Sequence, residues 1–174
     1  MIRIVLTFGV IAGLITGGMF FINAPEDGKM DFTHGAVYGY ITMFIALSTI
    51  FFAVKQYRDK YNGGVIKFGK AFLIGLYITL VAGLIYVIAW EIFFNSYAPD
   101  FGDQYIAYLE EQMVESGLSP TAIQEQLGQQ RKTMDNYQNN IMMRMGFTLL
   151  EIVPVGLLIS VISGLLFGVI LRKK

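Results

Sequence analysis

The chain has 174 residues, 55% hydrophobic and 15% charged, with 13 basic residues balanced by 13 acidic ones and a mean hydropathy of +0.55. A charged share well below the roughly one quarter of soluble domains excludes an ordinary soluble domain and points to a membrane protein. With no cysteine, disulfides, thiol catalysis and sulfur-ligated zinc are excluded, and a single histidine excludes a histidine-rich metal site.

Crossing a hydrocarbon core of about 30 Å takes roughly 20 apolar residues in a helix, because lipid offers no partner to an open backbone. Four stretches meet that requirement: Ile4–Ile22, Ala36–Val54, Phe72–Phe94 and Phe147–Leu171. The first is predicted as a span rather than a cleaved leader, since its apolar run exceeds the ~7–15 residues of a signal core and its exit, Ile22-Asn23-Ala24, is a poor cleavage site. Arg3, the loop residues Lys55, Arg58, Lys60, Lys67 and Lys70, and the terminal Arg172, Lys173 and Lys174 fall on one side of a four-span arrangement, with Asp59 as their only acid. The other side holds Lys29, Arg131, Lys132 and Arg144 among many acids. The positive-inside rule therefore predicts that both termini and the basic loop are cytoplasmic.

That loop, "YRDKYNGGVIKFGKAF", carries a turn signal at Asn62-Gly63-Gly64, and its basic charge suits anionic lipid headgroups. Its glycine and lysine spacing fails the Walker pattern. Residues 95–146 are polar and predict two helices. The first has Asp103 as N-cap, a stripe of Ile106, Leu109 and Met113, and Gly117 as stop. The second has Ser119 as N-cap, Pro120 at its first position and a stripe of Ile123, Leu127, Met134, Tyr137, Ile141 and Met145, running almost continuously into the fourth span. The fold class expected is all-α: a single membrane domain, residues 1–174, of four transmembrane helices with an extracytoplasmic helical hairpin between the third and fourth.

Helices in lipid pack closely where small residues recur every four positions. Gly9, Gly13 and Gly17 do so in the first span, Ala71, Gly75, Thr79 and Gly83 in the third, and Gly156, Ser160, Gly164 and Gly168 in the fourth. These faces are read first as intramolecular packing and second as a homo-oligomer interface. One carboxylate stands in each of the last two spans, Glu91 and Glu151. Counting from Gly83 and from Ile159 puts both about 12 Å from the membrane centre. Two readings follow. In one, each is an interfacial glutamate that reaches water or a hydrogen-bond partner at less than the ~2.5–3.5 kcal/mol of the bilayer centre. In the other, the two form a buried pair serving as a proton or cation site. His34 is expected at the same level, and Arg144, about two turns before Glu151, is placed to neutralise one carboxylate. Pro154 frees the carbonyl of Leu150 and is a hinge candidate. Tyr86, Trp90 and Tyr97 fit an interfacial aromatic belt.

"YGYITMFIALSTIFFAVKQYRDKYNGGVIKFGKAFLIGLYITL" and "TLLEIVPVGLLISVISGLLF" resemble the bacterial membrane family catalogued as domain of unknown function 4199, over nearly the whole chain. Lys55, Tyr57, Arg58, Asp59, and Gly64 through Phe72 carry the more specific part, followed by Glu151, Pro154 and Gly156. The resemblance implies a multi-span protein of Gram-negative bacteria with a helical insertion before its last span, and it brings no catalytic residue.

Three function classes remain. A structural or accessory component of the cytoplasmic (inner) membrane, acting on the lipid bilayer or on a protein partner through the outer hairpin, is expected ahead of a small proton- or cation-coupled transporter using Glu91 and Glu151. An intramembrane enzyme comes last, because Ser160 and Ser163 have no base at their depth. No cofactor, metal or nucleic acid is expected.

Overall fold

The computed structural model describes residues 1–24 and 28–171. Arg172, Lys173 and Lys174, counted above among the basic residues, lie outside the described residues. The chain forms α1 (Ile2–Ile22), α2 (Gly35–Leu47), α3 (Thr49–Tyr61), α4 (Phe68–Tyr97), α5 (Phe101–Glu115), α6 (Pro120–Asn139) and α7 (Ile141–Leu165), closed by a π turn, Leu166–Ile170. No strand occurs among the described residues. Four helical stretches are long and apolar enough to span a membrane: α1, α2 with α3, α4, and α7 with its π turn. Leu14, Ile45, Leu80, Leu84 and Leu158 are exposed on the outside of this bundle, a surface that suits lipid and not water.

The second span is longer than predicted and is broken at Ser48. There the Ser48 hydroxyl donates to the Phe44 carbonyl at 2.6 Å and the Thr49 hydroxyl to the Ala46 carbonyl at 2.7 Å. Such back-bonding competes with the backbone ladder and bends a helix.

The glycine faces explain the order of packing. α4 lies between α1 and α7, and each neighbour meets a different side of it. Gly9, Gly13 and Gly17 of α1 sit against Val81, Ile85 and Ala89, where an added Cβ would come within 2.7 Å of each side chain. On the opposite side Gly156 faces Thr79, Gly75 faces Ser160, and Gly164 and Gly168 enclose Phe68. Glycine removes the side-chain layer that would hold these helices apart. Ile74, Ile78, Ile152 and Ile159 fill the interior between them.

At one end, α5 and α6 share a small core of Ile106, Ile123 and Leu127 with Leu109, Met113 and Met134. Gly117 closes α5 with φ of +75°, a conformation that favours glycine, and the Ser119 hydroxyl accepts from the Ala122 amide at the start of α6. Asp103, predicted as the cap of α5, lies instead in its first turn: the helix starts at Phe101 and Asp100 takes the cap position. α5 also clasps the α1–α2 connection, with Gln104 bonding both Gly28 and Met30 and Phe32 packed against Phe101, Tyr105 and Tyr108.

The passage from α6 into α7 is interrupted by one residue. Asn140 is extended, and its side-chain oxygen accepts from the amides of Met142 and Met143 at 3.0 and 3.2 Å. Replacing Asn140 by alanine is expected to cost about 0.5–2 kcal/mol. Hydrogen exchange should localise that loss to the first turn of α7; unchanged protection there would remove the cap from the account.

Candidate functional site

Arg144 follows this cap directly, in the first turn of α7, and its side chain is buried against α4. Nε donates to Glu91 Oε1 at 2.8 Å and Nη2 to Oε2 at 2.7 Å, a two-pronged pairing that only a planar guanidinium can make. Nη1 donates to the carbonyls of Tyr137 and Gln138 at 3.1 and 2.8 Å. These carbonyls belong to the last turn of α6, where a cation is favoured by the helix dipole. The guanidinium also lies 4.3 Å above the ring of Phe94. One side chain thus ties α4, α6 and α7 together. Beside it, Trp90 Nε1 donates to the Tyr137 hydroxyl at 2.7 Å, and burial pushes the Tyr137 phenol above its ordinary pKa, so it stays protonated.

Glu151 has a different partner. The Tyr86 hydroxyl donates to its Oε2 at 2.9 Å, and none of its hydrogen bonds or ion pairs is shared with Glu91. Nor do the two glutamates share a depth. A Cβ at Gly83 would touch Leu149 and Ile152 at 3.4 and 3.5 Å, which sets Glu151 at the level of Gly83. Glu91 stands about 12 Å further along α4 at 1.5 Å per residue. The matched depths expected from sequence fail because the register of α7 against α4 sets Leu149–Ile152, not Ile159, opposite Gly83. α7 also begins at Ile141, ahead of the predicted Phe147.

His34, at the start of α2, shares no hydrogen bond or ion pair with either glutamate. Its Nδ1 is 3.1 Å from Asp31 Oδ2, and both side chains are exposed. The His34 amide, and to a smaller extent the imidazole and the Thr33 amide, hold the Asp31 carboxyl below its ordinary value. Pro154 sits inside α7, which runs through it as one helix. Ser160 donates to the Gly156 carbonyl at 2.6 Å, and the buried Ser163 hydroxyl has no hydrogen-bond partner among the described residues.

At the opposite end of the bundle, the basic loop residues differ in setting. Lys55, Lys60, Lys67 and Lys70 are exposed, whereas the Arg58 side chain is largely buried, bonded to Asp59 at 2.7 Å and lying over the Phe167 ring at 5.2 Å. Lys70 stands 5.8 Å from the Tyr57 ring.

Two residues of the site escaped the sequence reading. Tyr86, assigned to an aromatic belt, is 4% exposed and is the hydrogen-bond donor to Glu151. Tyr137 stands in the sequence only as part of an apolar stripe. A tyrosine three residues beyond Gly83, within one turn of a packing glycine, is the available signal for the first; nothing local marks the second.

The family model described as "protein of unknown function (DUF4199)" matches residues 7–168. No curated protein and no solved structure matches the chain.

Proposed function

The chain belongs to the DUF4199 family, and from that premise we propose that it is a structural or accessory component of the bacterial cytoplasmic membrane that presents the α5–α6 cap to a protein partner. The observation that carries this reading is the grip of Arg144. It holds both oxygens of Glu91 and the final carbonyls of α6, so the charges at this level fasten the cap to the membrane bundle. The exposed Lys55, Lys60, Lys67 and Lys70 favour a cytoplasmic position for the other end and for both termini, facing anionic lipid. The glycine faces are taken up inside the bundle. A homo-oligomer would therefore associate through other surfaces.

A second reading, proton- or cation-coupled transport, keeps one specific support: Glu151 is a carboxylate near the level of Gly83 that faces a cavity. Glu91 does not serve it as a partner, being committed to Arg144. Proton and monovalent-cation flux in proteoliposomes separates the two. The accessory reading expects wild type at the background of empty vesicles under every gradient. Flux in wild type that is lost in Glu151→Gln would replace it with transport.

A further inference from the structure

At the end that carries α5 and α6, a cavity of about 830 Å³ opens between α1, α2, α4 and α7 and is also lined by residues of α5 and α6. That volume falls within the roughly 300–1,000 Å³ of small-molecule sites. Its wall is aromatic, with Phe20, Tyr38, Trp90 and Phe147 contributed by four different helices. Among its described lining residues the charged side chains are two carboxylates, Glu151 and Asp31, with no lysine, arginine or histidine. Asp31 is already bonded by the amides of Thr33 and His34 and by the imidazole. Glu151 is bonded by Tyr86 alone among the described side chains, and it lines the cavity.

A carboxylate at this depth is costly without a counter-charge, which is why intramembrane acids are found paired. Glu91 has its counter-charge within the chain. Glu151 shares a wall that holds no cationic side chain among its described residues and is rich in aromatic rings, which offer ring faces to a cation and apolar surface to whatever carries it. An inorganic ion would use the carboxylate and waste the wall; a neutral apolar molecule would use the wall and leave the carboxylate unpaired. We propose that this cavity binds an organic ammonium ion with an apolar body, its charge on Glu151 and its body among Phe20, Tyr38, Trp90 and Phe147. The proposal goes beyond the accessory reading and does not depend on it. The ammonium can belong to a free amphiphilic amine or to a lipid headgroup.

Trp90 is the sole tryptophan of the chain and lines the cavity, so occupancy is read directly by its fluorescence. The full chain in non-ionic detergent micelles would be titrated with 2-phenylethylammonium and with the neutral 2-phenylethanol. Expected is a saturable change with the amine and half-saturation at least about tenfold weaker with the alcohol, as befits a charged hydrogen bond. Glu151→Gln should weaken the amine at least about tenfold and leave the alcohol unchanged, while Asp31→Asn shifts it less than about threefold. Adding phosphatidylethanolamine to the micelles identifies the source: competition with the amine assigns the site to a lipid headgroup, and no competition assigns it to a free amine. Equal binding of amine and alcohol, no saturation by the amine, or an unchanged amine affinity in Glu151→Gln would overturn the proposal. Should Glu151→Gln not fold, the wild-type comparison of amine with alcohol still decides it. Binding without flux would leave the site standing and the transport reading refuted.

Discussion

Replacing Arg144 by alanine is expected to destabilise the protein by about 3–5 kcal/mol, the cost of leaving a buried charge without its partner. Arg144 is 5% exposed, and the Glu91 side chain it grips is 16% exposed, so water replaces little of what is lost. The Tyr137 and Gln138 carbonyls lose their donor in the same substitution. Arg144→Lys should fall between, since an ammonium keeps the charge but cannot meet both carboxylate oxygens in one plane. The double replacement Glu91→Leu with Arg144→Leu should cost less than Arg144→Ala alone, because no orphan charge remains. Denaturant unfolding in detergent measures all three. Limited proteolysis near Asn140 should rise in step with the loss, reporting release of the cap. If Arg144→Ala costs less than about 1 kcal/mol, the range of exposed surface pairs, the fastening role is wrong.

Gly168→Ala is expected to cost about 1–3 kcal/mol, in the range of overpacked cores, although it adds one methyl group. The new Cβ would overlap the backbone nitrogen and Cα of Phe68, at the first turn of α4, and backbone cannot rotate aside as a side chain can. Gly83→Ala supplies the contrast. Its Cβ meets Leu149 and Ile152 at ordinary distances of 3.4 and 3.5 Å, so the change should be neutral or stabilising by up to about 1 kcal/mol through the helix preference of alanine. Unfolding midpoints of the two variants, measured side by side, check this. Equal tolerance at both positions would mean that the π turn does not press on the start of α4.

The two substitutions differ in how visible their sites are in the chain. Gly168 belongs to a run of small residues with Gly156, Ser160 and Gly164, and the fourfold spacing alone marks it as a packing position. That spacing does not say which helix fills the groove. Gly9, Gly13 and Gly17 could as well have faced α7 or a second molecule as Val81, Ile85 and Ala89. Arg144 was visible as a cation near two acids, and its choice of Glu91 over Glu151 was not. That choice follows from the register of α7 against α4 together with the one-residue break at Asn140, which brings the end of α6 back within reach of the guanidinium.

Local physics accounts for what was legible. The length of apolar runs, the caps at Ser119 and Gly117, the apolar stripes of α5 and α6 and the clustering of lysines at one end each depend on a few neighbouring residues, and each is written in the order of the chain. Four spans, two polar helices before the last of them and two carboxylates inside the apolar segments are all written in the order of residues. Packing of α4 against α7 separates the two carboxylates, one bonded to the arginine that grips the end of α6 and the other lining an aromatic-rich cavity beside Tyr86. The physical reason is that a side chain's partner depends on how far one helix slides along another, and sliding by two or three residues preserves nearly every local preference while exchanging every pair across the interface.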